Sequence, residues 1–220
     1  MGSDFAMSSN PLSYASPLLN LLNQSPPEDE PYFAALGRFI TSYATAEAGV
    51  HMHARTLSRL TDEKARIIFS GMRLGDLSER VRGLMRVTKS SPKTYTETDT
   101  CLTQLDIIAR QRNKLVHNLV SYKNQVIFTT NAVTAKSLQS AESNLFTLVD
   151  LSNMNADCVA ISFRLSHIRT PKKLRKATEK DLLLWAQKPW RYKPALPNIQ
   201  KKRPQKAPGL QKPRPDASQE

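Results

Sequence analysis

The chain has no apolar run long enough to cross a bilayer, and its first 30 residues lack the positively charged start of a signal peptide. It has only two cysteines, Cys101 and Cys158, and neither stands at metal-ligand spacing from other His, Cys or carboxylate residues. These absences argue against a membrane protein, a secreted disulfide scaffold and a thiolate metal centre. They lead to the expectation of a reducing, cytoplasmic setting in which both cysteines act as small apolar residues on helices. A Gly-Met-Arg-Leu-Gly stretch at 71–75 has neither the glycine spacing nor the preceding strand of a phosphate-binding loop, and reads as a linker.

What is present is an uneven distribution of charge. The 220 residues suffice for one main domain with a sizeable core. Of the net charge of +13, the span 169–220 supplies +11, with 15 Lys and Arg against 4 Asp and Glu. The same span holds 8 of the 14 prolines. The sequence therefore divides into a Ser-, Pro- and Asn-rich segment at 1–30 expected to be disordered, a helical domain at 31–168, and a basic, Pro-rich tail at 169–220.

Apolar spacing sets the expected elements. A helix is expected from Tyr32 to about Leu60, with Leu36, Ile40, Tyr43, Val50, Ala54 and Leu57 on one stripe and His51 and His53 on the surface. A short helix capped by Thr61 or Asp62 follows, then a turn around Gly71 and Gly75 and a helix from about Asp76 to Val87. Lys89 to Thr98 reads as a polar loop around Pro92. A helix follows that ends near His117, and residues 120–122 and 126–129 form a hairpin turning at Lys123 to Gln125. Ser137 to Asn144 reads as a polar connector. Thr147 and Asp150 cap a last helix carrying Leu148, Leu151, Met154, Cys158, Ile161, Leu165 and Ile168. Four main helices with one apolar stripe each close into an all-α bundle with a small β-hairpin before the last helix.

Two charges fall where this pattern expects apolar residues. Arg112 lies seven residues after Leu105 and three before Leu115, on the inward stripe of its helix. Glu47 takes the place between Tyr43 and Val50 on the first helix. An unpaired buried charge is costly, so the expectation is that Glu47 and Arg112 pair across the core. Asn113 and His117, four residues apart, project side by side on the adjoining polar face with Asp106 and Arg110.

The triplet Arg112, Asn113 and His117, spaced Arg-Asn-x-x-x-His at the end of a core helix, resembles the signature of HEPN domains. With 16 Arg and 4 His in the chain, an Arg five before a His arises by chance roughly 0.3 times, and the added Asn cuts this about twentyfold. The resemblance covers roughly Tyr32 to Ile168. It implies a HEPN-like bundle and a metal-independent endoribonuclease that needs no cofactor. It also implies a homodimer through the Asp106 to His117 helix face, with both copies of the motif in one cleft. Arg112 would meet the phosphate, His117 would serve as base or acid, and Asn113 would orient His117 or bind the phosphate. A toxin or defence role and an inhibitory protein partner follow from the same resemblance.

The tail suggests RNA independently. Lys172, Lys173, Arg175 and Lys176, then Trp190 and Arg191, then Lys201, Lys202 and Arg203, interleave basic groups with aromatics, which suits phosphates and unpaired bases. A short helix is allowed over 178–187, and an equal alternative has Leu183, Trp185 and Trp190 docking on the bundle. The expectations are thus an endoribonuclease or, from another class, a non-catalytic dimerising RNA-binding or protein-interaction module with a basic tail. A third is an unrelated bundle carrying a chance motif.

Overall fold

A computed structural model of the chain describes residues 29–170, 184 and 186–194. Among these, five helices and three strands run in the order α1 (Glu30–Ser58), α2 (Asp62–Phe69), α3 (Leu74–Val87), α4 (Pro92–His117), β1 (Leu119–Lys123), β2 (Val126–Thr130), β3 (Ser143–Thr147) and α5 (Leu148–Arg169). No helix among the described residues is long and apolar enough to cross a membrane. The molecule is mostly helical, with a small antiparallel sheet of order β1-β2-β3.

The ends of the helices follow from local chemistry. Pro31 opens α1, where its missing N–H costs nothing, and Arg59 ends it in the left-handed region at φ 54°. The same device corrects the polar loop expected at Lys89 to Thr98. Ser91 caps α4 by accepting a hydrogen bond from the Thr94 N–H, Pro92 is the first helical residue, and Thr98 is already buried. Proline there starts a helix. At α5 the Thr147 hydroxyl accepts from the Asp150 N–H while the Asp150 carboxylate accepts from the Thr147 N–H, closing the expected capping box.

The long helices α1, α3, α4 and α5 share one core. Phe39, Val50, Leu77, Leu102, Leu105, Ile108, Leu151, Met154, Ile161 and Leu165 have essentially no exposed surface. Burying each such side chain stabilises the fold by about 1.5–3 kcal/mol. Because α1 packs against both α5 and α3, its buried face is broader than one stripe. Leu36, Ile40 and Leu57 end half-buried, while Phe39, Ala46 and His53 are fully or almost fully covered. His53, expected on the surface, is 2% exposed.

The hairpin is as expected but incomplete. Asn124 and Gln125 make the two-residue turn with φ 51° and 62°, the left-handed pair that matches strand twist. β2 then pairs with a third strand, with Ile127 opposite Phe146 and Phe128 opposite Leu145. The end of the stretch expected as a polar connector, Ser143 and Asn144, opens this strand. Only Phe146 of β3 is fully buried, so its apolar pattern is short.

Candidate functional site

The second half of α4 carries the Arg-Asn-x-x-x-His triplet. Arg112 and Asn113 line a cleft of about 660 Å³ together with Tyr43 and Glu47 of α1, Arg73, Leu74 and Gly75 at the start of α3, and Asp106, Ala109 and Arg110 of α4. His117, the last residue of α4, is exposed and is not among the residues lining that cleft. Asn113 is exposed and Arg112 half-buried.

Arg112 does not make the expected ion pair. Glu47 lines the same cleft, but no ion pair joins the two among the described residues. Instead Arg112 Nη1 donates to Asn113 Oδ1 at 3.2 Å, and its guanidinium carbon lies 5.5 Å from the centre of the Tyr43 ring. A cation over an aromatic face is held by the ring quadrupole, which contributes about 0.5–2 kcal/mol. Arg112 Nε is buried without a hydrogen-bond partner. Burial raises the pKa of the Tyr43 phenol, the charge of Glu47 raises it further, and Arg112 acts in the opposite direction. At pH 7 the ring is neutral.

The acid on the motif face is committed elsewhere. Asp106 accepts from the Ser78 hydroxyl at 3.4 Å and lies 3.9 Å from Arg82, which also binds Asp99 at 2.7 Å and Glu79 at 2.9 Å. Burial raises the Asp106 pKa, and Arg82 and Ser78 partly counter this. Arg73 and Arg110 make no side-chain hydrogen bond or ion pair among the described residues. Both cysteines are buried and free, with thiols pushed up to about 12, chiefly by burial. They belong to the core, as the sequence suggested.

Part of the tail is built into the domain. The buried carboxylate of Asp157 accepts from Gln104 Nε2, Arg191 N and Tyr192 N, each at 2.9 Å. Arg164, one heptad further along α5, donates from Nε to Ala186 O at 2.6 Å and from Nη2 to Lys188 O at 3.1 Å. Its guanidinium lies 4.2 Å from the Trp190 ring centre, and Tyr192 is buried in the main core. Residues 186–194 therefore form a strap, and Trp190 docks on the bundle. Of the other candidate RNA contacts, Arg191 is exposed, whereas Lys172, Lys173, Arg175, Lys176, Lys201, Lys202 and Arg203 lie outside the described residues. So do Leu183, Trp185, most of the helix expected over 178–187, and the segment 1–28.

Sequence reasoning missed Tyr43 as the partner of Arg112, Arg73 as a wall of the cleft, and the Asp157 and Arg164 clamp. The clamp had a signal: two opposite charges seven residues apart, each three after an apolar stripe residue, Met154 and Ile161. Among the described residues, no group of three or more His, Cys, Asp or Glu side chains is placed to hold a metal ion. No family model matches the chain, and no curated protein or solved structure matches it either.

Proposed function

We propose that this chain is a metal-independent endoribonuclease of the HEPN type that cleaves RNA by attack of a ribose 2′-hydroxyl on the adjacent phosphorus. The products are a 2′,3′-cyclic phosphate and a 5′-hydroxyl. The observation that carries the reading is the triplet at the end of α4, with Arg112 and Asn113 on one cleft and His117 on the same helix, exposed and open to substrate. Arg112 supplies fixed positive charge to the phosphate oxygens, as its geometry over Tyr43 permits. Histidine titrates near neutral pH, which suits it to take the 2′-hydroxyl proton or to protonate the leaving oxygen. The same reading includes a homodimer in which the Asp106 to His117 faces meet and one copy's histidine, at the end of α4, completes the other's site.

The test is cleavage of a mixed RNA pool in excess chelator by wild type, His117→Ala and Arg112→Ala, with assay of the new ends. Cyclic-phosphate ends lost in both folded variants support the enzyme; cleavage unchanged by His117→Ala refutes it. A non-catalytic dimerising RNA-binding module is the second reading. It is favoured by the absence of His117 from the cleft lining and by the exposed apolar outer face of the sheet, where Leu119, Phe128 and Leu145 stand open.

A further inference from the structure

The cleft beside the motif is richer in cationic donors than the motif itself. Arg73 comes from the start of α3, and Arg110 and Arg112 come from α4. Three guanidinium groups thus border one space of about 660 Å³, a size suited to ligands as large as a nucleotide. Two acids share the space: Asp106 is engaged by Ser78 and Arg82 and also feels the charge of Arg110, and Glu47 makes no ion pair among the described residues, so three cations outnumber two anions there. Arg73 and Arg110 are exposed and make no side-chain hydrogen bond or ion pair among the described residues.

We infer that Arg73 and Arg110 bind the phosphates of a single-stranded RNA flanking the one held by Arg112, so that the cleft tracks a backbone of two or three nucleotides. The identity of the substrate rests on the ribonuclease reading above. Guanidinium is the suitable group because its planar fork presents paired N–H donors to phosphate oxygens. Arg110 stands two residues before Arg112 on α4, and Arg73 joins them from the start of α3, so the cleft draws its cations from two helices. The aromatic wall of the cleft, Tyr43, has its ring occupied by Arg112. Recognition here is accordingly of backbone charge, with little dependence on base identity.

The experiment uses the full chain and a fluorescein-labelled 2′-O-methyl oligoribonucleotide, which lacks the attacking hydroxyl and reports binding alone. Dissociation constants are measured by anisotropy over a series of KCl concentrations for wild type, Arg73→Gln, Arg110→Gln and the control Arg38→Gln. Arg38 is exposed on α1 and lines a different depression beside Pro31, Leu148 and Asn155. Loss of a charge-assisted hydrogen bond weakens binding about tenfold or more. It also lowers the slope of log K against log salt by about 0.7 for each lost phosphate contact on a single strand. Arg73→Gln and Arg110→Gln should each show both effects, with Arg38→Gln near wild type. Equal affinities and slopes in all three variants would overturn the inference, since each removes the same charge. The two readings fail separately. Wild type that binds through Arg73 and Arg110 yet leaves an unmodified oligonucleotide intact keeps the phosphate track and refutes the nuclease; cleavage by wild type with unaltered binding in both variants does the reverse.

Discussion

Acidification should unfold this protein partly through one imidazole. His53 is 2% exposed, neither ring nitrogen has a hydrogen-bond partner among the described residues, and its pKa is lowered from 6.5 to about 4, by burial first and by the nearby Arg169 second. Arg169 is fixed in place by donating to Gly49 O at 2.7 Å. Because the folded pKa lies below the unfolded one, the unfolded chain takes up a proton that the folded protein refuses. Above pH 6.5 both states are neutral at this site and no penalty exists. As the pH falls from 6.5 towards 4 the penalty grows, reaching about 3 kcal/mol at full development, of which about 2 kcal/mol is present by pH 5. The measurement is urea unfolding by circular dichroism at pH 7.5, 6 and 5 for wild type and His53→Leu. The leucine variant removes this proton uptake and leaves every carboxylate in place. The stability difference, wild type minus variant, should fall by about 2 kcal/mol between pH 7.5 and 5. Two curves that stay parallel across that window would show that His53 takes up its proton equally in both states, and the reasoning would be refuted.

Two further outcomes follow from buried groups. Asp157→Ala leaves the Arg191 and Tyr192 N–H groups without their acceptor and Gln104 with only the Tyr192 carbonyl, and should cost about 3 kcal/mol in urea unfolding with a red shift of tryptophan emission as Trp190 leaves Arg164; an unchanged spectrum and midpoint would remove the clamp from the account. Cys101 and Cys158, with thiols near 12, should ignore a thiol-reactive disulfide reagent at pH 8 in the native protein and titrate as two thiols in denaturant, and rapid native labelling would contradict their burial.

The elements that could be read from sequence were those with an unbroken rhythm. Leu151, Met154, Cys158, Ile161 and Leu165 on α5 repeat at three and four, and all five are fully buried. On α1 the same logic named Tyr43, Val50 and Ala54 but underrated Phe39, Ala46 and His53, because packing on two sides buries more than one stripe. Pro92 was read by its usual meaning in loops, although a preceding serine makes it a helix start. β3 escaped because its inward alternation reduces to Phe146 with a half-buried Asn144, and strand pairing with β2 is information that no local window holds. For the site, the misplaced charge at Arg112 did mark a real feature, but its partner is a ring, Tyr43, and a search for the opposite charge found Glu47. The better-buried pair of that kind, Asp157 and Arg164, binds backbone groups of a distant segment, which charge counting does not reveal.

The strap also makes α5 a hub between stretches of chain far apart in sequence. α5 ends at Arg169, yet Ala186 and Lys188 are held by Arg164 and the Arg191 and Tyr192 N–H groups by Asp157, all on that same helix. Gln104 of α4 donates both to Asp157 and to the Tyr192 carbonyl, so the strap is a bolt through two helices and not a cover laid on one. Loosening it would therefore be felt in the packing of α4 on α5, well away from the strap's own residues.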